Sequence, residues 1–167
     1  MLVNIKRAGF FTRSTNIYSN NSLIGTVQQK GFFRDFAILT STTFNKAWRI
    51  NDIAFLKPSY QVIDISNQEI IGSFSTSGIV SYLGKLILKN HTFELVSTKN
   101  SESEFYWKDE SGNSVIKFSV GEYSRWGGFK LGGIADLPDN YTEEQMLLLF
   151  IGSYLLTLKI ILLNSNI

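Results

Sequence analysis

The chain has 167 residues, 44% of them hydrophobic and 14% aromatic, which fits one folded domain with a real core and excludes a disordered chain. It has no cysteine, so disulfides, thiolate metal sites and cysteine nucleophiles are excluded. The net charge of +2 hides an asymmetry: residues 1–57 carry eight Lys/Arg against Asp35 and Asp52, whereas residues 58–167 carry eight Lys/Arg against twelve Asp/Glu.

The opening MLVNIKRAGFFTRSTN has no apolar run and no small-residue cleavage site, so a secretory signal is not expected. With the absence of cysteine, this gives the expectation of a cytoplasmic protein. Five basic residues stand early in the chain: Lys6, Arg7, Arg13, Lys30 and Arg34. Phe10, Phe11, Phe32 and Phe33 lie among them. Basic and aromatic interleaving serves membrane interfaces and single-stranded nucleic acid. A strand that turns its aromatics inward and its charges outward gives the same pattern. These five residues are the candidate lipid- or ligand-binding set.

Short strands are expected at Ile24–Val27, Phe36–Leu39, Trp48–Ile50, Tyr60–Ile65, Ile70–Phe74, Leu83–Leu88, Thr92–Thr98, Glu104–Lys108 and Val115–Val120. Turn residues fall between them at Asn20-Asn21, Ser66-Asn67, Lys89-Asn90, Asn100-Ser101 and Ser111-Gly112-Asn113. Short strands at this spacing mean a sandwich or a barrel. One pattern recurs at Ile17–Val27, Val62–Phe74 and Trp107–Phe118: an apolar strand end, a polar turn, then a strand opening with Ile or Val. It reads as one hairpin used three times.

Chemistry is sparse along this stretch. His91 is the single histidine and stands beside Asn90 in a turn. No G-x-S-x-G elbow accompanies it. Glu102, Glu104, Asp109 and Glu110 read as solvated carboxylates rather than an acid–base pair. No calcium loop is present, and WGGFKLGG (Trp126–Gly133) lacks the lysine ending of a phosphate loop. No catalytic residue, metal ligand or cofactor is assigned, and the chain is not expected to be an enzyme.

Pro138 ends the β-region. Asn140 with Glu143, or Thr142 with Gln145, has capping-box spacing, and a helix is expected over about 141–164. Met146–Leu163, MLLLFIGSYLLTLKIILL, is apolar at 14 of 18 positions. A helix apolar all round is buried by protein or by lipid. Eighteen residues span about 27 Å, close to a bilayer core. One reading is therefore a tail-anchored membrane protein with a soluble β-domain and a transmembrane helix 146–163. The other is a β-protein wrapped around its own helix. The acidic flank of Asp136, Asp139, Glu143 and Glu144 is unlike a cytoplasmic juxtamembrane segment. Gly152 and Ser153 permit close backbone approach in either setting.

The hairpins Tyr60-Gln61-Val62-Ile63-Asp64 with Ile70-Ile71-Gly72, and Phe105-Tyr106-Trp107-Lys108-Asp109 with Gly112 and Val115, followed by the apolar helix after Leu137-Pro138, resemble the tubby-like superfamily. That superfamily includes the LURP-one-related and phospholipid scramblase proteins. The resemblance covers residues 17 to 163. It implies one domain over 1–167: a closed antiparallel β-barrel of about twelve strands, about 1–137, around a central hydrophobic helix. It also implies a non-enzymatic binding or scaffold protein, monomeric and membrane-associated. The partner is then an anionic phospholipid surface, and no nucleic acid is expected. The Lys-x-Arg pair of the tubby phosphoinositide site is missing, as are the cysteine-rich segment and acidic calcium loop of scramblases.

Overall fold

A computed structural model describes residues 1–8, 13–30, 36–53, 59–77, 83–98, 103–120 and 132–164, with helix side chains through Leu158. The strands are β1 (Leu2–Arg7), β2 (Ser14–Ser19), β3 (Ser22–Lys30), β4 (Phe36–Ser41), β5 (Lys46–Asp52) and β6 (Ser59–Asp64). They continue as β7 (Glu69–Thr76), β8 (Gly84–Leu88), β9 (His91–Ser97), β10 (Glu104–Lys108), β11 (Ser114–Val120) and β12 (Gly132–Asp136). One helix, α1, spans Glu143–Asn164. Each strand pairs antiparallel with its neighbours in sequence, and β1 pairs with β12 to close a barrel. Closure leaves no unpaired sheet edge.

Alternation sets the inside. Ile17, Val27, Leu39, Ile50, Val62, Phe74, Leu86, Leu95, Trp107 and Phe118 are buried, and their neighbours along each strand mostly face out. The nine expected strands are all present. The sequence reading missed β1 and β12, and saw β2 only as the apolar end of a hairpin. β1 has only two inward apolar residues, Val3 and Ile5, and β12 contains two glycines, so neither has a strong apolar alternation.

Five tight turns lie at the end of the barrel where α1 begins. They use residues that tolerate a left-handed backbone: Asn20 and Asn21, Asn45, Gln68, Lys89 and Gly112 all have positive φ. The expected Asn100-Ser101 turn lies outside the described residues. The repeated hairpin is real in register as well as sequence. β2, β6 and β10 each carry a register shift, after Ile17, Val62 and Trp107, each 45 residues from the next. The barrel is thus three similar four-strand units.

The helix begins with a capping box. Gln145 N–H donates to Thr142 Oγ1 (3.2 Å), and Thr142 N–H donates to Gln145 Oε1 (2.9 Å). Of the two candidate spacings, this is the Thr142–Gln145 one. From Met146 to Leu156 every residue is buried. Contacts come from across the ring. Phe150 meets Trp48 (ring centroids 6.1 Å apart) and Tyr154 meets Tyr60 (5.9 Å), while Trp107 Nε1 donates to the Leu148 carbonyl (2.8 Å). The helix fills the lumen, so its apolar circumference is spent on protein. Among the described residues no helix is long and apolar enough to cross a membrane. The lipid-buried alternative for Met146–Leu163 therefore finds its residues 146–156 enclosed by strands instead.

Two close approaches fix the helix. A Cβ on Gly152 would lie 2.4 Å from the Phe118 ring and 3.0 Å from Trp107 Nε1. The missing side chain is what lets the indole reach the Leu148 carbonyl. On the opposite wall, a Cβ on Gly25 would lie 2.3 Å from the Phe150 ring. Glycine costs a helix interior about 1 kcal/mol relative to alanine, so its presence at 152 reflects packing rather than propensity.

Candidate functional site

The early basic residues come together at the barrel end remote from the helix start. β1 pairs with β2 through Lys6–Asn16 and Arg7–Thr15. Gln29 N–H donates to the Arg13 carbonyl (2.9 Å), which places Arg13 beside the end of β3 and Lys30. Lys6 and Arg7 on β1, Lys30 on β3, and Arg13, one residue before β2, thus share one rim. Lys6, Arg13 and Lys30 are exposed, and Arg7 is half-buried. Arg34 lies outside the described residues, as do Phe10, Phe11, Phe32 and Phe33.

Strands β1–β3 carry no carboxylate, because the first in the chain is Asp35. Outward positions between the cations are neutral: Asn16, Tyr18, Thr26 and Gln28. The Lys6 ammonium lies 5.9 Å from the centroid of the Tyr18 ring. Among the described residues, Tyr18 is a contributor that sequence reading missed. Its signal was weak, since only the β1–β2 register makes it a diagonal neighbour of Lys6.

Carboxylates gather around the helix start at the opposite end, and the three-unit repeat organises their partners. Met1, Lys46 and His91 stand at equivalent positions, each 45 residues from the next. Each offers a nitrogen to the start of the helix. The Met1 ammonium is 3.2 Å from Asp139 and 3.5 Å from Asp136. Lys46 Nζ is 2.8 Å from Glu143 and 3.5 Å from Asp64. His91 Nδ1 is 2.9 Å from Glu144. Among the described residues the four cations thus stand at the end opposite the carboxylates around the helix start, an end that also holds Asp52 and Glu104.

These pairs shift the titrations. Hydrogen bonding to Asp139 raises the Met1 ammonium above its usual value, and hydrogen bonding to Glu143 raises Lys46. Asp64 is held below the usual carboxylate range first by the Ser66 hydroxyl (2.6 Å), then by the Ser66 N–H (2.9 Å). Asp109 is lowered chiefly by the Asn113 N–H (2.7 Å) across its turn.

The polar residues singled out in the sequence take the following places. His91 Nδ1 bonds both oxygens of the Glu144 carboxylate, and its side chain is 63% exposed, so it forms a latch on the helix. Asp109 closes a turn, and Glu110 accepts from the Thr92 N–H (2.9 Å). Glu102 and most of WGGFKLGG lie outside the described residues. Among the described residues no group of three or more His, Asp or Glu is placed to hold a metal ion.

No family model matches the chain, and no curated protein does. Among solved structures, the X-ray structure of a protein from Arabidopsis thaliana is similar in fold. The TM-score is 0.55 at 12% identity, over 99% of this chain and 92% of that one.

Proposed function

We propose that this chain is a non-enzymatic binding module of the tubby-like kind, which docks on anionic phospholipid by the rim of Lys6, Arg7, Arg13 and Lys30. The observation that carries the reading is the gathering of these four cations at one end of β1, β2 and β3, strands that hold no carboxylate. The carboxylates around the helix start, at the other end, support it: an anionic surface attracts the rim and repels them, which favours one landing orientation. The hairpin motifs support the tubby-like part, and a closed barrel around a helix is the architecture that resemblance implies. The protein acts as a monomer at the cytoplasmic face of a membrane.

Each Lys or Arg near an anionic leaflet is worth about 1 kcal/mol, so four supply roughly 4 kcal/mol at low salt. The test is vesicle co-sedimentation of the full chain. Binding is expected to phosphatidylcholine vesicles doped with phosphatidylserine, weakening with salt. The triple variant Lys6→Glu, Arg13→Glu, Lys30→Glu is expected to lose at least ~100-fold in apparent affinity. Equal binding to pure phosphatidylcholine, or an unaffected triple variant, refutes the reading.

A further inference from the structure

The outer wall of β10, β11, β12 and β1 holds a hollow of about 290 Å³. Register arranges its outward side chains in two rows. Tyr106 faces Lys117, which faces Asp136; Glu104 faces Ser119, which faces Ile134. Side chains opposed in this way stand ~5 Å apart at Cβ. That register would hand Lys117 to Asp136. Instead Asp136 lies 3.5 Å from the Met1 ammonium, and Lys117 makes no ion pair or side-chain hydrogen bond with another described residue. The Tyr106 and Ser119 hydroxyls beside it are likewise unengaged among the described residues. Glu104 Oε2 accepts a long bond from Thr98 Oγ1 (3.3 Å), which leaves Oε1 to accept. The remaining edge is apolar, with Ile134 45% and Leu2 65% exposed.

We propose that this hollow binds a small zwitterion with an apolar arm, of the α-amino acid class. The carboxylate rests on the Lys117 ammonium and accepts from Tyr106 and Ser119. The ligand's ammonium donates to Glu104, one position across the strand pair from Ser119. The apolar side chain covers Ile134 and Leu2. A simple anion is disfavoured, because Glu104 and Asp136 both line the hollow against one lysine.

The test is an amide NMR titration of the full chain with L-leucine. Two controls have the same skeleton: isocaproate, which lacks the ammonium, and isoamylamine, which lacks the carboxylate. L-leucine is expected to shift the Ser119 and Ile134 amides saturably, with Kd on the order of 1 mM or tighter. Each control is expected to bind at least ~10-fold more weakly, as for loss of a charge-assisted hydrogen bond. Lys117→Met and Glu104→Gln, both surface changes, are each expected to weaken L-leucine by a similar factor with an otherwise unchanged spectrum. The proposal is overturned by any of three results: no saturable shift with L-leucine, isocaproate binding as well as L-leucine, or both variants binding like the parent.

Discussion

Replacing Gly152 by alanine separates a helix packed in the barrel from a helix facing lipid or solvent, because the two give opposite signs. In an unpacked helix the change stabilises by about 1 kcal/mol, the propensity difference. Inside this barrel the new Cβ would meet Phe118 Cζ at 2.4 Å, its Cε2 at 2.9 Å and Trp107 Nε1 at 3.0 Å. Both rings are buried, at 2% and 0% exposure. Trp107 is further pinned by its bond to Leu148 and by an edge contact with Phe74 at 6.1 Å. Overpacking costs about 1–3 kcal/mol, here at the upper end, and displacing the indole risks about 1 kcal/mol of hydrogen bond. After the propensity gain, a net loss of roughly 2 kcal/mol is expected. For a chain of this size that lowers Tm by roughly 4–8 °C. Urea unfolding followed by tryptophan fluorescence reads it as a lower midpoint at unchanged slope. An unchanged or raised midpoint would refute the packing argument.

The two buried indoles predict an asymmetry. Trp107→Phe removes a made hydrogen bond and is expected to destabilise more than Trp48→Phe, whose Nε1 is buried without a partner; equal midpoints in urea would contradict this. Asp64 and Asp109 have lowered folded-state pKa values, so their contribution is full above the unfolded carboxylate range and is lost as pH falls through the folded values. Stability measured from pH 5 downward to about 2 should fall, and less steeply in Asp64→Asn; parallel curves would exclude a role for Asp64. The Met1 ammonium is raised above 8.0, so its contribution is present below that pH and lost as pH rises through the raised value. Acetylating the N-terminus should abolish that alkaline decline, read as Tm between pH 8 and about 10; a persisting decline would assign it elsewhere.

Much of this architecture was legible because the relevant signals are local. The turns at Asn20-Asn21, Lys89-Asn90 and Gly112 advertise their left-handed backbone by residue type. The recurring hairpin motif carried the three-unit repeat, and Thr142 with Gln145 carried the helix start. What was illegible depends on pairs brought together by closure. β12, with Gly132 and Gly133, has no alternation to read until β1 supplies its partner. Nothing in the local sequence couples Met1 to Asp139 or His91 to Glu144, since those pairs exist only once the helix is inside. The basic residues were visible as a list, but their union on one rim came from the β1–β2–β3 register.

The account rests on the helix being the core of the barrel, also in the presence of the proposed lipid surface. Amide hydrogen exchange of the full chain, with phosphatidylserine-containing vesicles present, tests this most directly. The account predicts that amides of 146–158 exchange only through global unfolding, as slowly as those of β5 and β10, with and without vesicles. Helix amides that exchange faster than the strands, or that lose protection when vesicles are added, would show that the helix leaves the lumen and would contradict it.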